Sequence, residues 1–296
     1  MNRKIRNSRG ELMRNRLFII IVFAITIHFS AAAQEKAVRP MLSQKAMTMQ
    51  RIGLTDITVT YHRPGVKGRT IWGKLVPYNE LWRAGANEAT TISFSDDVTV
   101  NGHPLKAGTY SFFVRPTPTS WQVIFNSNAK QWGTFFLDKS KNVLTFNVTP
   151  YAIPHREWLL YDFTDLAMNS AKLELCWDKL AIHFSIRVNT KKKMEEMNEA
   201  FVLKASEQLA GAALTYLEHH ENLKTALADI NRAIAIHSSF ENWNIKAKIL
   251  GELKRFKEAV RAADIALKIQ KKEKNAYTNM EAWQLKRLKK SWTESR

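Results

Sequence analysis

Across 296 residues there is one cysteine, Cys176. A single thiol excludes an intramolecular disulfide and a cysteine cage for a metal. It sits in Ala171-Lys172-Leu173-Glu174-Leu175-Cys176-Trp177, where alternation makes it a small buried residue ahead of a catalytic thiol. Acidic side chains are also scarce, 27 against 45 Lys and Arg, for a formal net charge of +18. The surplus is diffuse, with +5 in residues 1–33, +6 in 34–190 and +7 in 191–296. Spread in that way it reads as solvated basic surface with only weak attraction for anionic partners. There is no Gly-x-Ser-x-Gly, no His-Glu-x-x-His and no glycine loop opening a helix. The hydrolase, metalloprotease and nucleotide-binding classes that those motifs carry are therefore unsupported. No apolar run reaches the ~20 residues that cross a bilayer comfortably.

The apolar run that does occur, Leu17 to Phe29, follows a polar, basic stretch and precedes Ser30-Ala31-Ala32-Ala33-Gln34. Basic head, short apolar middle and small-residue exit define a secretory signal over residues 1–33, cleaved after Ala33. Met13 is an alternative start, because Met13-Arg14-Asn15-Arg16 already supplies the basic head. The released chain is expected in the periplasm or outside the cell, with no stable membrane insertion. Export argues against nucleic acid as a partner.

Residues 34–190 read as short strands broken by turns. Ile57-Thr58-Val59-Thr60-Tyr61, Thr91-Ile92-Ser93-Phe94 and Val98-Thr99-Val100 alternate, and Asn101-Gly102 is a tight-hairpin dipeptide. Tyr110–Val114, Trp121–Phe125, Val143–Val148, Trp158–Phe163, Ala171–Trp177 and Ala181–Ile186 continue the series. About ten strands at this spacing predict a jelly-roll-like antiparallel β-sandwich, with a closed barrel as the alternative.

After Lys191-Lys192-Lys193 the chain has no proline and two glycines, Gly211 and Gly251, amid Ala, Leu, Glu and Lys. That composition predicts helices over 191–296, and hence an α+β protein of two domains. Leu217, Ala226 and Ala233 recur 33 positions later as Leu250, Ala259 and Ala266, a period resembling tetratricopeptide-type helical hairpins. Lys246 and Lys254 stand where such repeats usually place Leu and Gly. Two degenerate repeats and a capping helix over 277–292 are expected, leaning on the β-domain for burial and offering a groove to a protein partner.

One stretch, Tyr61 to Thr91, suits a functional surface better than any other. It combines Gly65, Gly68, Gly73 and Gly85 with Arg63, Lys67, Arg69 and Arg83, adds Trp72 and Trp82, and ends near Asn87-Glu88. Arginine offers a planar fork for carboxylate or phosphate, and tryptophan a rigid face for a sugar or a guanidinium. The blocks Tyr61–Arg69, Ile71-Trp72-Gly73, Trp82–Thr91 and Ala107–Ser111 resemble the bacterial family known as domain of unknown function 2911. The resemblance runs from about Met41 to Val188 and implies an exported β-rich domain, with no activity or catalytic residue to carry over.

The expected ligand site is Arg63, Lys67, Arg69, Trp72, Trp82, Arg83, Asn87 and Glu88, taking an anionic or glycan ligand. The competing view pairs Arg83 with Glu88 as an internal ion pair, with Trp72 and Trp82 as a small local core. A metal centre would need Glu88 with two of His62, His103, His155 and His183, none at a diagnostic spacing. The pairs Asp96/Asp97 and Asp162/Asp165 suit turns better than glycoside chemistry. No cofactor is assigned. The expected function is a non-enzymatic binding or scaffolding protein of the bacterial envelope, and the alternative is a hydrolase or lyase on envelope glycans using Glu88, Arg83 and a histidine.

Overall fold

The computed structural model describes residues 40–135, 137–272 and 275–295, and the leader, its cleavage point and Met13 lie outside them. Ten strands come first: β1 Gln44–Ile52, β2 Thr55–Arg63, β3 Thr90–Phe94, β4 Val98–Val100, β5 His103–Leu105, β6 Gly108–Pro116, β7 Trp121–Asn126, β8 Asn142–Val148, β9 Tyr151–Ala167 and β10 Ser170–Val188. They build two antiparallel sheets, one ordered β1-β2-β3-β6-β7-β8 and the other β5-β4-β10-β9. One core joins them, with Val59, Phe112, Trp121 and Phe125 from the larger sheet meeting Leu159, Leu175, Trp177 and Phe184 from the smaller. In β2 this follows from alternation, since Ile57, Val59 and Tyr61 are buried and the residues between them are not.

Asn101 and Gly102 both adopt positive φ, 47° and 88°, and turn β4 into β5. That is the backbone a two-residue hairpin needs. Two expected strands, Ala171–Trp177 and Ala181–Ile186, are instead one, because the register shifts around Asp178, at φ 53°, absorb the break in alternation. β1 was not expected as a strand; it is an edge with exposed Met47 and Met49, and of its inner positions Ala46, Thr48 and Gln50 are half-buried and Ile52 buried.

Five helices follow: α1 Thr190–Glu218, α2 Leu223–Ile236, α3 Phe240–Glu252, α4 Phe256–Gln270 and α5 Ala276–Glu294. Leu217, Ala226 and Ala233 are buried in α1 and α2, as are Leu250, Ala259 and Ala266 in α3 and α4, so the 33-residue recurrence is a recurrence of burial. α5 covers α3 and α4 with Ala282, Leu285 and Trp292. The helices do not lean on the sandwich as expected, since their two apolar clusters contain helical residues only. Alanine faces let neighbouring helices approach closely enough to form a core of their own.

The domains meet at a short junction. Only Asn189 separates β10 from α1, and its side chain accepts from Lys192 N at 3.0 Å, capping the helix. Lys193 Nζ pairs with Asp96 of the β3–β4 turn. Gly53, at φ 56°, lies so close beneath Thr190 that a Cβ would stand 2.0 Å from Thr190 Oγ1. Among the described residues no helix is long and apolar enough to cross a membrane.

Candidate functional site

The connection from β2 to β3 is built into the sandwich. Val66, Ile71, Val76 and Ala84 are buried in the main core, and Trp82 N and O exchange hydrogen bonds with Val114 of β6 at 2.8 and 2.9 Å. Trp72 lies with its ring centroid 4.5 Å from that of Trp121 and 6.0 Å from that of Trp177, and Trp82 stacks on Trp177 at 5.8 Å. The two tryptophans thus belong to the domain core, larger than the small local core considered from sequence.

The eight expected residues do not form one surface. Arg63 Nε donates to Leu159 O at 2.9 Å. Arg69 donates to Gly65 O at 2.6 Å and Val66 O at 3.1 Å, closing its own turn. Lys67 lies 5.9 Å over the ring of Trp158, on the side of the strand that carries Arg63. Asn87 Nδ2 donates to Ser43 O at 3.1 Å. Glu88 lies beside His62, Nδ1 to Oε2 3.3 Å, so the partner of Glu88 is a histidine and not Arg83 as considered from sequence.

What brings His62 and Glu88 together is local. Ala84, held at φ 51°, places its carbonyl where Thr90 Oγ1 donates at 3.0 Å and Tyr161 OH at 2.8 Å. Gly85 then passes against β2, where a Cβ would lie 2.8 Å from Thr90 Oγ1 and 3.3 Å from His62 O. Only glycine allows that approach. Asn87, at φ 58°, completes the turn, and the next residue is Glu88.

The opposite wall is a loop that sequence reasoning passed over. Glu88 bridges to Trp132, and Ala89 N donates to Gln131 O at 3.0 Å. Gln131 is buried, its Nε2 donating to Asn126 Oδ1 at 3.2 Å and Asn128 O at 2.7 Å, while its Oε1 has no partner among the described residues. Lys45, Thr60, His62, Glu88, Gln131 and Trp132 line a cleft of about 410 Å³. Trp132 is 50% exposed, whereas the His62 side chain is 11% exposed. Burial lowers the proton affinity of His62, Glu88 opposes that effect and Lys45 adds to it, and the net shift is downward from 6.5. His62 is therefore neutral at pH 7, able to donate from one ring nitrogen and accept at the other. The legible signal was Lys130-Gln131-Trp132-Gly133, an aromatic beside glycine in a polar connection.

The remaining candidates lie apart. His103 stacks on Phe146, His155 sits 3.2 Å from Asp178 and 3.5 Å from Glu157, and His183 faces the ring of Tyr151. Among the described residues no three His, Cys, Asp or Glu come together in a way that could hold a metal. Burial first, and then the Glu174 carboxylate 3.0 Å away, push the Cys176 thiol up to about 12, which keeps it protonated. A larger hollow of about 690 Å³ lies at the domain junction among Asp96, Asp97 and Lys191 to Lys193. Most of its charges are paired, Asp96 with Lys193, Asp97 with Lys106, Lys192 with Glu196 and Lys191 with Glu195, while Arg187 also lines it. Asp165 likewise pairs with Lys172 at 2.7 Å.

Residues 43–186, the sandwich up to the last two residues of β10, match a family described as protein of unknown function (DUF2911). The β-domain belongs to that family. No curated protein and no solved structure matches the chain. The DUF2911 domain thus carries the cleft, and the helices lie beyond it.

Proposed function

We propose that this is an exported envelope protein whose β-domain binds a hydroxylated, glycan-like ligand in the cleft of His62, Glu88, Gln131 and Trp132. The helical domain, with its tetratricopeptide-like period, then serves to hold a protein partner. The observation that carries the reading is the pairing of a half-exposed indole with a buried carbonyl oxygen, Gln131 Oε1, that has no partner among the described residues. A buried acceptor without a donor costs about 1–3 kcal/mol, a loss that a ligand hydroxyl recovers. An indole face at the same opening suits the apolar face of a sugar. The test is binding of envelope saccharides by wild type, Trp132→Ala and Gln131→Leu. Saccharide affinity should fall at least tenfold in both variants, about 1.4 kcal/mol; equal affinity in all three would sink the reading.

A second reading is favoured by the 3.3 Å approach of His62 to Glu88. A neutral histidine oriented by a carboxylate is a competent general base, so the same cleft would suit a hydrolase or lyase on envelope glycans. Turnover of a bound saccharide, abolished in His62→Gln with binding retained, separates catalysis from simple binding.

A further inference from the structure

Two of the three arginines in the β2–β3 connection and its approach are engaged within the fold. Arg63 holds Leu159 O, and Arg69 holds Gly65 O and Val66 O. Arg83 differs from both. Among the described residues its guanidinium has no hydrogen bond and no ion pair, although Nε is buried from solvent. Burial alone acts on its proton affinity, lowering it, with no opposing charge close enough to answer. Only Nε is shut off from solvent, so the charge is partly desolvated, and a partly desolvated charge without a partner carries a cost in the fold.

Its position gives that cost a use. Arg83 Nη1 lies 2.9 Å from the point where a Cβ on Gly133 would stand, and Gly133 holds φ 63°. Gly133 directly follows Trp132, the aromatic wall of the cleft, so the guanidinium sits beneath the turn that shapes the opening. Arg83 stands behind the cleft wall and not among its lining residues, whose own cations are Lys45 and Lys130. A guanidinium fork with free N–H groups matches a planar oxyanion through two parallel bonds, a geometry that lysine cannot supply.

We propose that Arg83 reads a carboxylate on the ligand at the Trp132–Gly133 turn, so that the ligand class is an acidic sugar of the uronate kind. The hydroxylated remainder of that ligand rests on the cleft reading above, whereas the anion subsite stands on Arg83 itself. Glu88 and Gln131 Oε1 are acceptors and take the hydroxyls, leaving the carboxylate to the cation.

The experiment uses the purified protein, with glucuronate, glucose and acetate as probes at matched ionic strength in sodium chloride. The Arg83 Nε–H resonance, assigned by its loss in Arg83→Lys, is expected to shift saturably with glucuronate and with acetate but not with glucose. The melting temperature should rise with glucuronate in wild type. In Arg83→Met that rise should vanish, while the variant melts at or above wild type without added anion, because an unanswered charge has been removed. Arg83→Lys, which keeps the charge without the fork, should bind glucuronate at least tenfold more weakly, about 1.4 kcal/mol. The proposal is overturned if the resonance moves no more with acetate or glucuronate than with chloride. It is also overturned if Arg83→Met keeps the glucuronate response or is destabilised without anion, since either result makes the guanidinium structural. Trp132→Ala separates the two proposals: a saturable acetate response that survives there, with saccharide affinity unchanged, supports the anion subsite and rejects the cleft.

Discussion

The two domains of this chain reach burial by opposite means. The sandwich fills the space between its sheets with large aromatic side chains, among them Trp121, Trp177, Tyr61, Tyr161, Phe112 and Phe125. The helical domain is closed mainly by alanines, including Ala226, Ala233, Ala259, Ala263 and Ala266, all completely buried. Two facing sheets stand about 10 Å apart and need bulk between them. Helices at close packing need the reverse, small residues that let backbones approach. Because the apolar clusters share no residue across the junction, the two domains should respond separately when either core is damaged.

Trp121→Ala is the largest test of that separation. The indole is fully buried and touches Trp72 at the centre of the tryptophan cluster, so its removal should cost about 3–5 kcal/mol. Unfolding followed by hydrogen exchange should show the loss confined to residues 44–188, and equal loss in α3 to α5 would refute the separation. In the other domain, Gly251→Ala places a Cβ 2.6 Å from the Trp292 ring. Better helix propensity returns up to about 1 kcal/mol, and overpacking costs about 1–3 kcal/mol. A net loss of about 1 kcal/mol is expected, with faster exchange at the end of α5 and none in the strands.

The same contrast explains what the sequence made legible. Alternation in Ile57–Tyr61 and the Asn101-Gly102 turn are local features, and both stand in the structure as read. The helical composition and the 33-residue recurrence were visible for the same reason. What remained hidden is nonlocal. Trp72 and Trp82 share a composition with ligand-stacking tryptophans, and only the partners Trp121 and Trp177, tens of residues away in sequence, make them core. Arg63, Arg69 and Arg83 look equivalent along the chain, yet backbone carbonyls engage the first two and, among the described residues, none engages the third. Of the cleft, Glu88 was anticipated and His62 was noticed only as a metal ligand. Gln131 and Trp132 carry only a weak local mark, an aromatic beside glycine, and what makes them a wall of the cleft is their nonlocal pairing with Ala89 and Glu88.

A smaller effect sharpens the account of the helical repeat. Lys254 holds φ 57° between α3 and α4, the position where the repeat period leads one to expect glycine. A left-handed backbone costs an L-residue roughly 1–2 kcal/mol, part of which glycine gives back through its freer unfolded chain. Lys254→Gly should therefore stabilise the helical domain by about 0.5 kcal/mol and leave the sandwich unchanged. Chemical denaturation of wild type and variant measures it, and destabilisation would mean that the lysine side chain holds the turn.

The smallest expected effect belongs to the cleft. His62 titrates below 6.5 in the fold because burial disfavours its charged form, and Lys45 works in the same direction. The unfolded chain then binds more protons than the fold between the folded value and 6.5, so stability falls as pH drops through that window and is level above it. Wild type should lose stability there relative to His62→Gln. Removing the opposing carboxylate in Glu88→Gln should push the histidine lower still, whereas Lys45→Met should raise it. Following the His62 ring resonances across roughly pH 4 to 8, the range in which histidines titrate, gives all three values. A His62 that ignores the loss of Glu88 would mean that the pair does not form in solution, and one that titrates at or above 6.5 would mean that burial does not govern it; either result removes the neutral-base reading of the cleft.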